Sequence, residues 1–352
     1  MQKRTVLIGL SIIALCLLVA FPVCRGRLIS GKLAEAIEQK NSDLVKNLLD
    51  KGANPNAKDK EGYPLLNFAI FKGNKEITQL LLAKGANIEK KCDVIADSEL
   101  DARGLPLTVR GMTALNLALE KKDPELMELL LAQGANPNKK ISIEQTPLLR
   151  FLFKKPTNVL EALLTKKPKD YHCELSLLHI AMRPDIRTDP RIVKLLLEYG
   201  ADVDAKGGDF DSTPLHWAIM PDYDNKCPDP EIIKMLLEYG ADANAEEKLG
   251  HRPLQVTILN QCPEVAKLLL NYGADVNMRM GHGSTLLQIA VVFGNTGMVE
   301  LLLDYGIDAD VVNDRGETAL DMAVKRGCVD IAEILRKHGA RTGAELNATQ
   351  QH

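Results

Sequence analysis

The stretch that decides the fold opens with Thr213-Pro214-Leu215-His216-Trp217-Ala218-Ile219 and closes with Ile232-Ile233-Lys234-Met235-Leu236-Leu237-Glu238-Tyr239-Gly240-Ala241-Asp242-Ala243-Asn244. Thr213 offers a hydroxyl cap to the first N–H groups of a helix. Pro214 takes the first helical position, where its missing N–H does no harm. Leu215, Ala218 and Ile219 make one short apolar face. After a loop, Ile232 to Leu237 repeats its apolar residues with the 3.6-residue period of a second helix. Gly240 ends that helix, because the left-handed position beyond a helix tolerates glycine best. Neither helix reaches the ~12–15 residues at which an isolated helix becomes marginal in water, so each pair must bury its face on neighbouring pairs.

Working outward, the same endings recur: LLDKGANPN, LLAKGANIE, LLAQGANPN, LLEYGADVD, LLEYGADAN, LLNYGADVN, LLDYGIDAD and ILRKHGA. Their glycines are Gly52, Gly85, Gly134, Gly200, Gly240, Gly273, Gly306 and Gly339, at intervals of 33, 49, 66, 40, 33, 33 and 33. The interval of 66 is two periods, with Lys167 where one glycine is missing; 49 is one period plus a 16-residue insertion, and 40 is one period plus seven. A second series keeps phase with the first. It comprises Pro64-Leu65-Leu66-Asn67, Thr113-Ala114-Leu115-Asn116, Thr146-Pro147-Leu148-Leu149, Ser176-Leu177-Leu178-His179, Thr213-Pro214-Leu215-His216, Arg252-Pro253-Leu254-Gln255, Thr285-Leu286-Leu287-Gln288 and Thr318-Ala319-Leu320-Asp321.

On these residues the chain resembles the ankyrin-repeat family, whose period and T-P-L-H-x-A signature they carry. The resemblance implies an all-α repeat solenoid of stacked helix-turn-helix units joined by β-turn or hairpin loops. About nine units cover residues 28–340, an N-terminal segment occupies 1–27, and a polar, frayed tail 341–352. The first unit lacks the signature and the fourth its glycine. An insertion at 91–109, with Asp93, Asp97, Glu99, Asp101 and Arg103, reads as a polar surface loop. The proline-containing stretches RPDIRTDP and PDYDNKCPDP read as further loops.

Lys3 and Arg4 precede an uncharged run from Thr5 to Val23, followed by Arg25 and Arg27. That run lies on the border between a signal-peptide core and a membrane span. It is apolar on every face, unlike the amphipathic helices after it, so it reads as a cleaved signal peptide or a retained anchor rather than a core helix. The expectation is therefore a membrane-associated or exported protein (cell envelope, periplasm or secreted), attached to a membrane through this segment.

Net charge is -3 with a pI of about 6.2, which gives no global field for nucleic acid. The span from Asn138 to Asp170 is the exception, with eight basic residues against three acidic, a local excess of +5. It is a solvated lysine-rich face or a docking place for an acidic partner. No CxxC, HExxH, G-x-S-x-G, P-loop or dinucleotide fingerprint is present, so no catalytic residue, cofactor or metal is expected. His179 and His216 stand at the fourth signature place, where the family uses the residue to bridge neighbouring turns. Cys227-Pro228 and Cys262-Pro263 fall in interhelical loops of adjacent units, close enough for a disulfide in an oxidising compartment.

The family contacts partners through turn tips and the first helix with the loop after it. Carried over, this places contacts at Lys60, Glu61, Tyr63, Phe71, Lys72, Met112, Phe153, Lys154, Met220, Leu249 and Phe293, with His251 and Met280 in the same row. Aromatics and methionines among charges are what interface cores enrich, and the row predicts a concave, partly apolar groove. The function implied is a monomeric, non-catalytic scaffold for protein partners. A secreted effector binding host proteins is the alternative, and an enzyme with appended repeats is disfavoured because the repeats leave no room for a catalytic domain.

Overall fold

The computed structural model describes residues 29–100, 106–144, 172–183, 188–221 and 227–349. They divide into two compact units, Met1–Glu144 and Gln145–His352. In the first unit, α1 (29–38) pairs in sequence with α2 (Ser42–Asp50), and α3 (Leu65–Phe71) packs on α4 (Lys75–Ala83). A hairpin of β1 (Cys92–Leu100) and β2 (Pro106–Met112) follows, then α5 (Ala114–Glu120) on α6 (Pro124–Ala132), and β3 (Ile141–Glu144). First helix packs on first helix (α3 on α5) and second on second (α2 on α4). Leu65, Leu66, Ile77, Leu81, Leu115 and Leu130 lie at 0–2% exposure between them. The 91–109 insertion is thus an antiparallel hairpin and not a loop: Val94 pairs with Val109, Ile95 with Thr108 and Ala96 with Leu107.

The described residues of the second unit begin at β4 (His172–Leu175), and among them the pair is repeated five times. These are α7 (Leu177–Ala181) with α8 (Pro190–Glu198), α9 (Pro214–Ala218) with α10 (Pro230–Glu238), α11 (Pro253–Leu259) with α12 (Pro263–Asn271), α13 (Leu286–Phe293) with α14 (Thr296–Asp304), and α15 (Ala319–Arg326) with α16 (Val329–Lys337). Each second helix has nine residues, so tertiary stacking and not intrinsic propensity holds it. Thr213 caps α9 as its sequence implies, accepting from the His216 N–H. After α10, Gly240 adopts φ 91°, its N–H reaching Leu237 O and the Ala241 N–H reaching Leu236 O, both at 3.0 Å. That pairing satisfies the last carbonyls of the helix.

Two expectations change here. The tail expected to fray forms α17 (Gly343–Thr349), where Glu345 accepts from the Thr342 N–H at 2.7 Å and the Gly343 N–H reaches Asp321 Oδ2 at 2.8 Å. The expected membrane-associated or exported location is overturned as well. Among the described residues no helix is long and apolar enough to cross a membrane. The 1–27 segment that carried the expectation lies outside the described residues, as does most of the fourth repeat.

Candidate functional site

Two repeating devices hold the turns and first helices in register. The first uses the fourth signature residue. His179 Nε2 meets Ser212 O at 2.9 Å, and His216 Nε2 meets His251 O at 3.2 Å. Gln288 Nε2 donates to Val311 O and Glu317 O at 3.0 and 2.9 Å. The two histidines therefore do the bridging that the family resemblance assigned them. Burial holds the His216 imidazole below the ordinary histidine range, against the opposing pull of the His251 carbonyl and the Glu247 carboxylate. A neutral ring there keeps one nitrogen for the Thr213 hydroxyl, at 2.8 Å, and one for the next repeat.

The second device was missed in the sequence. The last residue of a Gly-Ala-Asx-x-Asx ending clasps the following turn at Asn56, Asp204 and Asn244. Asn56 Nδ2 donates to Gly85 O at 3.0 Å while Asn56 Oδ1 accepts from the Asn87 N–H. Asn244 likewise donates to Gly273 O and accepts from the Asp275 N–H, both at 2.8 Å. Asp204 accepts from the Asp242 N–H at 3.0 Å, and burial holds its carboxyl above the usual carboxylate range, helped by repulsion from Asp242 and Asp202. The signal was present in the endings themselves, whose final Asn or Asp recurs after six of the eight glycines, Gly85 (Glu89) and Gly339 being the exceptions.

On the first-helix face of the first unit, Phe71 remains 53% exposed. The Lys121 ammonium of the next repeat sits 4.9 Å from the Phe71 ring centroid, and Lys72 sits 5.1 Å from that of Phe68. Both distances fall within cation–π range. Lys72 also lies 3.8 Å from Glu38. Beside them, Glu35, Glu38, Lys58, Asp59, Lys60 and Phe68 line an open cleft of about 780 Å³. Asp59 Oδ1 shapes the turn at its rim by accepting from the Glu61 and Tyr63 N–H groups at 3.0 and 2.8 Å. Lys60 and Glu61 are exposed and Tyr63 and Lys72 half-buried, so Lys60, Glu61, Tyr63, Phe71 and Lys72 all reach the surface of one repeat, on its turn and its first helix.

Met112 does not join them. It is 5% exposed, because it ends β2 opposite Cys92 and its carbonyl accepts from the Cys92 thiol at 3.5 Å. Phe153 and Lys154 lie outside the described residues, as does most of the lysine-rich 138–170 span. In the second unit, Leu249 is 53% and Phe293 42% exposed at the corresponding places, while Met220, His251, Met280 and Trp217 are half-buried. Trp217 meets His179 edge-on at 5.7 Å. His251 Nδ1 lies 2.7 Å from Glu247 Oε1. Cys227 and Cys262 are joined as a disulfide, with Cα atoms 5.6 Å apart. Among the described residues, no group of three or more His, Cys, Asp or Glu is placed to hold a metal ion.

A chain of paired short helices, bridged turn to turn and carrying exposed aromatic side chains on its first-helix face, defines the class of repeat proteins that bind by surface. The family model for ankyrin repeats in three copies matches residues 33–141, 148–247, 178–280 and 277–349, and the chain belongs to the ankyrin-repeat family. Ankyrin repeats mark a protein–protein interaction domain, and the family is generally non-catalytic. No curated protein matches the chain.

Proposed function

We propose that the chain is a non-catalytic scaffold that holds protein partners against the first-helix faces and turn tips of its two units. The observation that carries this reading is Phe71, an aromatic ring left 53% exposed beside the Lys121 ammonium and next in the chain to Lys72, where nothing in the packing of the repeat requires it. An aromatic anchor ringed by charged side chains is the composition of a binding hot spot. The partner of the first unit meets lysines mounted on phenyl rings, and the partner of the second meets Leu249, Phe293 and Trp217.

The experiment is quantitative crosslinking and capture with tagged full-length protein, compared with Phe71→Ser and Phe293→Ser variants of unchanged melting midpoint. Proteins retained by the parent and lost from one variant identify the occupant of that face. A capture profile identical across parent and both variants contradicts the proposal.

A further inference from the structure

Within each unit, the ends of the second helices have a composition that the fold does not demand. Just before the helix-ending glycine the first unit carries Lys51, Lys84 and Gln133, whereas four successive repeats of the second carry Tyr199, Tyr239, Tyr272 and Tyr305, with His338 only in the last. Two residues after the glycine the first unit carries Asn54, Asn87 and Asn136, and the second Asp202, Asp242, Asp275 and Asp308. Asn54 and Asp242 do the same structural work, accepting from the N–H two residues on at 2.9 and 2.8 Å. The negative charge is therefore surplus to the turn.

Exposure and register make a continuous strip of these side chains. Tyr199, Tyr239 and Tyr272 are 42%, 41% and 39% exposed, and the four aspartates are exposed beside them. The Tyr305 hydroxyl donates to Asn271 Oδ1 of the preceding repeat, and the Asp275 N–H is held by Asn244, which aligns successive repeats. Exposed Glu198, Glu238 and Asp304 flank the tyrosines on the other side. Lys194 and Lys234 reach Glu198 and Glu238 only at 3.6 and 3.5 Å, and Arg252 reaches Asp275 at 3.8 Å. Exposed pairs of this length are weak and exchange readily.

We propose that this strip docks an extended, arginine-rich segment of a partner protein. A guanidinium stacks on a tyrosine face while its N–H groups reach carboxylates, a combination that an ammonium matches less well. Neighbouring second helices stand about 8–10 Å apart, and an extended chain advances roughly 3.3–3.6 Å per residue. Successive tyrosines thus meet every third residue of the ligand, which gives the pattern Arg-x-x-Arg-x-x-Arg.

The test is fluorescence anisotropy with the full chain and a fluorescein-labelled peptide of four Arg-Gly-Ser units, beside its lysine counterpart. The expected result is saturable binding of the arginine peptide, weakened about tenfold or more in Tyr239→Ser/Tyr272→Ser and several-fold by the change to lysine. Phe71→Ser and Phe293→Ser leave it unchanged, so failure here is distinct from failure of the first-helix faces. Absence of saturable binding, or full binding by the double tyrosine variant at unchanged melting midpoint, overturns the proposal. So does self-association in sedimentation velocity that Lys51→Ser/Lys84→Ser abolishes, since the occupant would then be a second copy of the chain.

Discussion

Gly85 in the first unit and Gly240 in the second end their helices in the same left-handed conformation, at φ 80° and 91°. The following alanine in each reaches back across the turn, Ala86 N–H to Leu81 O at 2.9 Å and Ala241 N–H to Leu236 O at 3.0 Å. The residue between helix and glycine is nevertheless Lys84 in one and Tyr239 in the other. On the first-helix face the units part again, lysines riding on Phe68 and Phe71 in the first and bare Leu249 and Phe293 in the second. The fold asks for glycine, alanine and a buried leucine at fixed places and is indifferent to the side chains between them. Those side chains are where two units of one architecture acquire different binding chemistry.

The largest expected difference in stability between the units is covalent. Only the second unit carries the Cys227–Cys262 bond, which closes a 35-residue separation, and cross-links of that span are worth about 2–4 kcal/mol. Urea denaturation with and without a phosphine reductant is expected to show that loss in the parent and none in Cys227→Ser. Identical mass after thiol alkylation with and without reduction would remove the bond from the account.

The turn clasps sharpen the opposite point, that the scaffold is shared. Asn56→Ala and Asn244→Ala each delete two inter-repeat hydrogen bonds, one in each unit. At about 0.5–1.5 kcal/mol per bond, each variant is expected to lose about 1–3 kcal/mol by chemical denaturation. A cost confined to one unit would break the equivalence.

The smallest effect is a slope. Burial lowers the His216 pKa, with Glu247, His251 and Lys206 as the charged or titratable groups around it. The unfolded chain therefore takes up the proton first. The stability this neutral ring supports is complete above the ordinary histidine range, about 6.5, and declines as pH falls through it. His216→Gln, which installs the residue found at the equivalent places Gln255 and Gln288, is expected to flatten stability against pH between about 7 and 5. An unchanged slope would assign the dependence elsewhere.

The fold was legible because its determinants are local and periodic: Thr213 caps, Gly240 stops, and Leu236 recurs at helical spacing. The 91–109 hairpin was misread because Asp93, Asp97, Glu99 and Asp101 weighed as loop residues. The β-branched pairs Val94 with Val109 and Ile95 with Thr108 carry the strand signal. Spacing along the repeat makes Met112 a contact residue and does not reveal that a strand ending opposite Cys92 buries it. Phe71 and Lys72 were legible as surface residues and Lys72 over Phe68 is a local i, i+4 contact, whereas Lys121 reaches Phe71 only when repeats stack.

The account rests on an edge that the scaffold leaves free to vary, and one chimera tests it most directly. Tyr239→Lys, Asp242→Asn, Tyr272→Lys and Asp275→Asn together give the second unit the edge residues of the first. The account predicts a thermal midpoint within about 2 °C of the parent, since no buried contact changes, and loss of arginine-peptide binding. A chimera that still binds the peptide, or that melts far below the parent, would contradict it.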